Sequence, residues 1–239
     1  MDPLSTARAL LPSWLPFVSL LALPLAGLAG WLVRKRSRFA AVMASSVVGA
    51  LFAHLGGPLS LLGQGVTGFL GSAAALAGYA LGSRRAPSPP AGRIAGRIAL
   101  FSASVLVLAA AEVGRPMAVA EVTRRSPLTA VALTGGDAWT LSALAQARAA
   151  GGKPEDAVAF YRAAFALDGR PGHLANAAFV ESGRDRCAEA RSLAGEAAAA
   201  ASRAGTAELD RYLATRARRV AENCRPGART APEMGPPDL

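Results

Sequence analysis

Few residues of this chain are of the types that do chemistry. It holds two histidines, His54 and His173, and two cysteines, Cys187 and Cys224. They lie far apart and on different elements, without the close ligand spacing of a zinc site. No serine or cysteine stands in a nucleophile motif with a base. Gly63-Gln64-Gly65-Val66-Thr67-Gly68 fits the glycine pattern G-x-G-x-x-G. That pattern cradles a dinucleotide when it follows a strand and an acid stands about 20 residues on. Here it sits inside an apolar run, and Ser83, Arg84 and Arg85 stand where the acid should be. Glu155 and Asp156 are adjacent acids at a helix start, where they suit the helix dipole. The expectation is a protein that is not an enzyme, with no cofactor and no metal.

The elements that would position these residues follow from charge and hydropathy. Hydrophobic residues make up 52% of the 239 and charged residues 18%, below the roughly 25% of an ordinary soluble domain. Such a chain is too apolar to be disordered throughout. Residues 1–111 carry nine Lys/Arg and one acid, whereas 112–239 carry seventeen against fifteen. The net charge of +10 invites a nucleic-acid partner. However, the basic residues of the first half are not spread over a folded face with stacking aromatics. Eight of the nine form two clusters, Arg34-Lys35-Arg36-Ser37-Arg38 and Arg84, Arg85, Arg93, Arg97, each between long apolar runs. Membrane proteins place charge in this way on the cytoplasmic side, so no nucleic acid is expected and the lipid bilayer is.

The apolar runs give four expected spans, at about 13–33, 39–55, 59–82 and 94–113. The first has 21 uncharged residues, enough for a hydrocarbon core of roughly 30 Å. Its rival is a cleaved leader, opposed by a scant basic start (Arg8) and by the four basic residues that follow. The 45 residues 39–83 are long enough to cross twice, with a turn at His54-Leu55-Gly56-Gly57-Pro58. The last span must draw on Arg97 and Glu112 at its ends, because 98–111 alone is short. With both basic clusters inside, the amino terminus, the 56–58 turn and everything after about 115 fall outside. Small residues recur every fourth position, as in Ala22, Ala26, Gly30; Ala41, Ser45, Gly49, Ala53; and Gly63, Thr67, Gly71, Ala75. Such stripes let membrane helices approach closely. No Asp, Glu, Lys or Arg lies within the first three spans. His54 reads as an interfacial residue and Gln64 as a helix–helix hydrogen bonder, so a conduit is not expected.

The expected organisation is therefore all-α: a transmembrane module 1–113, a linker 114–136, a helical domain 137–224 and a disordered tail 225–239. The domain reads as helices near 137–150, 154–168, 173–182, 185–204 and 206–223. Asp137 is a fitting N-cap, Gly151-Gly152 a stop, Pro154 with Glu155 and Asp156 a start, and Gly169–Gly172 a break.

Here the residues resemble the tetratricopeptide repeat (TPR) family, over about 139–204. The run Gly152–Asp168 looks like the second helix of such a repeat, with Ala157, Tyr161 and Ala164 in its small–aromatic–small pattern. Leu144 and Ala145 suit its first helix. Gly152 and Ala157 recur as Gly183 and Ala188, 31 residues later, three short of the family period. Ser192 and Gly195 depart from the pattern, as does Arg148. The resemblance implies protein–protein interaction rather than catalysis. It makes Gln146, His173 and Asn176 candidates for the polar lining of a peptide groove, against solvated polar residues as the alternative.

Cys187 and Cys224 are equidistant from the expected turn at Gly205-Thr206, so an antiparallel hairpin would set them side by side for a disulfide. An extracytoplasmic location would supply the oxidising surroundings. Only two of the 26 basic residues are Lys, and Ala is abundant, a composition that fits a GC-rich bacterial genome. The functional expectation is a multi-pass bacterial inner-membrane scaffold or assembly protein. Its partners would be other envelope or membrane proteins, and it could form a homo-oligomer. The alternative is an accessory subunit of a small membrane transporter or membrane enzyme.

Overall fold

The computed structural model describes residues 2–15, 20, 23–32, 38–59, 64–83, 117–203 and 206–225. Among them the regular elements are helices, with no strand, so the chain is all-α as expected. The helices are α1 (Pro3–Ala9), α2 (Leu23–Leu32), α3 (Arg38–Leu55), α4 (Gln64–Ser83), α5 (Pro127–Thr134), α6 (Ala138–Ala150), α7 (Pro154–Asp168), α8 (Pro171–Ser182), α9 (Cys187–Ala201) and α10 (Glu208–Asn223). Residues 117–125 are helical as well. The chain divides into two units, Met1–Leu11 with Asp137–Leu239, and Pro12–Gly136.

The first unit is a layered array. α6 and α7 form one antiparallel hairpin and α8 and α9 another; α7 packs on α8, and α10 closes over α8 and α9. Local chemistry sets the ends. The Asp137 carboxylate accepts from the Thr140 amide at 2.8 Å and caps α6. Pro154 and Pro171 open α7 and α8, where no intrahelical donor is lost. Gly169 ends α7 at φ 71°, a left-handed conformation that glycine adopts without a Cβ penalty. α8 is the central helix: every residue except Asn176 is buried. Around it Phe160, Tyr161, Leu174, Phe179, Leu193 and Leu213 supply bulk, and alanines such as Ala164, Ala175, Ala197 and Ala217 let the axes close. Burying each large side chain contributes about 1.5–3 kcal/mol.

α1 belongs to this array. Asp2 caps it, Pro3 opens it, and it lies on α7 with Ala7 fully buried. The first residues were expected to lead into the apolar module. Instead Ala7 and Leu11 bury apolar surface in the C-terminal unit.

In the second unit α4 lies between α2 and α3. Along α2, α3 and α4 most of the buried groups are small or polar and most of the large apolar ones are outside, Phe52 being a large side chain that is buried. Ala26, Gly30, Ala41, Ser45, Gly49, Thr67, Gly71 and Ala75 are buried. Leu25, Leu28, Leu32, Leu51, Val66, Phe69 and Leu81 are exposed, Phe69 by 72%. A Cβ on Gly30 would overlap the Ala75 carbonyl, and one on Gly78 the Gly27 carbonyl, so α2 and α4 touch backbone to backbone. Between α3 and α4, Ser72 Oγ donates to the Ser45 carbonyl at 3.1 Å. The turn after α3 is anchored by the Leu59 amide, which donates to the Gly135 carbonyl at 3.0 Å.

Several boundaries differ from the sequence reading. α4 starts at Gln64 rather than 59, and α3 ends at the predicted Leu55. The segment 114–136, expected as a linker, is helical over 117–125 and Pro127–Thr134, where Ala130 and Val131 are buried. The expected span 13–33 is described only in part: 13–15 form a turn rather than the start of an α-helix, 20 is helical, and 23–32 are α2. The span 94–113 and the tail 226–239 lie outside the described residues. No helix among the described residues is long and apolar enough to cross a membrane.

Candidate interaction site in the helical domain

The three polar groove candidates fall on two helices and differ in burial. Gln146 lies on α6 and Asn176 on α8, both half-buried. The extensive packing of α6 is on α7, while α8 packs on α7, α9 and α10. A continuous groove lined by α6 and α8 would need those two helices side by side.

His173 is the clearest departure. It stands in the first turn of α8 and is 4% exposed, so it lines no groove. Its Nε2 is 3.1 Å from Asp168 Oδ2. The same carboxylate accepts from the Arg170 amide at 2.9 Å. Burial opposes ionisation of Asp168. The His173 and Arg170 hydrogen bonds and their charges outweigh it and hold the carboxyl below its ordinary value. This cluster fastens the α7–α8 turn. Arg170 then reaches α10, with Nε 3.2 Å from Asp210 Oδ2. Asp210 is itself buried, and its Oδ1 lies so close to Gly172 that a Cβ there would stand 2.6 Å away. Sequence spacing could not reveal the contact of Arg170 with Asp210, because the two are 40 residues apart on helices brought together only by the fold.

A second polar cluster ties the other end of α8. Glu181 is buried, and its Oε2 lies 3.2 Å from Arg184 and 3.5 Å from Arg186. Arg184 also pairs with Glu155 on α7, and Arg186 with Glu189 on α9 at 3.1 Å. Two guanidiniums thus compensate one buried carboxylate, which would be costly alone. Glu155, read from sequence as a dipole partner of α7, has this ion pair in addition.

Cys187 and Cys224 are joined, with Cα atoms 5.5 Å apart. The bond links the start of α9 to the residue just past α10. Arg191 reinforces the joint by donating to the Ala221 and Cys224 carbonyls, each at 3.3 Å.

Of the motifs with chemical potential, Gly65 and Gly68 fall inside α4, with no strand among the described residues to make a phosphate turn. His54 lies in the last turn of α3. Among the described residues no three His, Cys, Asp or Glu side chains gather as a metal site would require. The arrangement holds helices together and offers exposed surface, most of all on α10, where Leu209 and Tyr212 stand out with arginines around them. No protein-family model, no curated protein and no solved structure matches the chain.

Proposed function

We propose that the chain is a multi-pass protein of the bacterial inner membrane and acts as a scaffold or assembly factor. In this reading Pro12–Gly136 sits in the lipid with four spans, and the TPR-like array of α6 to α10 meets partner proteins outside the cytoplasm. The observation that carries the reading is the inverted packing of α2, α3 and α4. Water-soluble bundles bury their leucines; apart from Phe52, these helices bury chiefly Gly, Ala, Ser and Thr and turn most of their Leu, Phe and Val outward. That distribution suits a hydrocarbon solvent, where close small-residue packing rather than hydrophobic burial joins helices. α2 and α4 contain no charged residue, and α3 only Arg38 at its start, the last residue of the first basic cluster.

One contact supports the arrangement of ends: α1 lies on α7, so the amino terminus and the C-terminal array share one side, as an even number of crossings between them requires.

The test is purification of the full chain from its native membrane in mild detergent, with identification of what accompanies it. Envelope or membrane proteins released by disrupting α6 to α10 are the expected result. A chain recovered in the aqueous fraction without detergent contradicts the membrane reading. A chain that co-purifies with nothing contradicts the scaffold role.

A further inference from the structure

α10 is sharply two-sided. Asp210, Leu213, Ala214, Ala217 and Ala221 point inward. Leu209, at the edge of that inward face, is 46% exposed; Tyr212, one turn on and facing away from it, is 59% exposed, with the exposed Glu208 one turn before it. Arg211 and Arg219 are exposed beside them and, among the described residues, engage in no ion pair; Arg218 is paired with Glu222 one turn on. Leu209, Tyr212 and Arg219 stand close to one helical line by their spacing.

The geometry points to this face of α10 as a lipid-headgroup surface: Leu209 and Tyr212 dip into the interface, and Arg211 and Arg219 meet the phosphates of anionic phospholipid. Two apolar side chains are far too little for the core of a protein interface, which covers about 800 Å² on each partner. They suit shallow insertion, for which an amphipathic helix needs a few apolar anchors and a basic flank. Leucine and tyrosine with neighbouring arginines also match side chains found at the bilayer boundary. Tethering to a membrane-embedded unit would hold the bilayer at high effective concentration, so weak contacts suffice. The inference rests on the membrane reading above and adds which lipid chemistry the domain recognises.

The experiment places the photoreactive residue p-benzoylphenylalanine at position 212 in the full chain. The protein is reconstituted into nanodiscs of phosphatidylcholine alone or with phosphatidylglycerol. The expected result is a covalent lipid adduct several-fold more abundant with phosphatidylglycerol, and falling as salt shortens the Debye length. R211E and R219E should lower the adduct by about fivefold per arginine lost, before the added repulsion. Both positions are exposed, and retention of the Cys187–Cys224 bond in each variant checks that the array is folded. A chain that stays in the disc but yields no lipid adduct, a protein adduct instead, or equal adducts in neutral lipid overturns the headgroup surface alone. A chain that does not elute with the disc overturns the membrane reading and this inference with it.

Discussion

Cys187 in the first turn of α9 is bonded to Cys224 just past the end of α10, closing a loop with a sequence separation of 37 around the hairpin. In a chain-entropy treatment, which is one of several accounts, such a loop contributes about 4 kcal/mol by restricting the unfolded chain. Replacing both cysteines by Ser should therefore lower the denaturation free energy of the helical domain by about 2–4 kcal/mol. Urea unfolding of the full chain in detergent, followed by far-UV circular dichroism, checks this. Equal midpoints for variant and parent would mean that the bond adds nothing. In parent protein taken from its native cells without reductant, thiol alkylation should find both cysteines blocked until a reductant is added.

The buried Glu181 gives a second expectation. R184A removes the guanidinium that joins Glu181 to Glu155 and leaves a buried carboxylate with Arg186 alone. The loss should be about 2–4 kcal/mol, since breaking a buried pair strands a charge. E181Q in the R184A background should restore part of it, because a neutral amide costs less to bury. A double variant no more stable than R184A would show that the cost is steric.

Glycine positions separate the two kinds of packing. G30L should cost about 1–3 kcal/mol or prevent assembly, because its side chain meets the Ala75 backbone and not a movable group. G49L and G71L should loosen α3 from α4 through Ser72 and Phe52. On α9, Gly195 has open space around it, so G195A should raise stability by about 0.5–1 kcal/mol. Melting in detergent with a thiol-independent dye reads all four. An unchanged G30L melt would make the small-residue stripes accidents of composition.

The Asp168–His173 pair sets a pH dependence. The Asp168 carboxyl is held below its ordinary value in the folded chain. Its stabilising contribution is thus fully present above the unfolded pKa and is lost as pH falls through the folded one. Stability should decline below the ordinary carboxylate range. D168N should be less stable near neutrality and should show a shallower acid slope. Parallel slopes in parent and D168N, followed by unfolding midpoint against pH, would assign the acid sensitivity elsewhere.

Much of the helical domain is legible locally. The Asp137 cap, the Gly151-Gly152 stop, the Pro154 start and the Gly169–Pro171 break are set by backbone chemistry within a few residues, and the structure places them where the sequence does. What escapes is non-local. His173 looks like a groove residue by register, but it is buried and bonded to Asp168 at the end of α7, while Asp210 arrives from α10 to meet Arg170 and Gly172 beside it. α1 is not among the helices expected from the sequence; Asp2 and Pro3 open it, and its partner α7 lies some 150 residues away with no local signal to name it. The start of α4 at Gln64 follows the Gly56–Leu59 segment, whose backbone bonds to Gly135 rather than continuing a helix.

The central claim is a lipid-embedded unit with α1 and the α6–α10 array on one outer side. A reporter active only outside the cytoplasm tests it most directly, fused after Arg85 in one chain and after Leu239 in another. Silence after Arg85 and activity after Leu239 is the predicted pair, because α4 should deliver Arg85 to the inside and a further crossing should bring the array back. Activity after Arg85, or silence after Leu239, would contradict it.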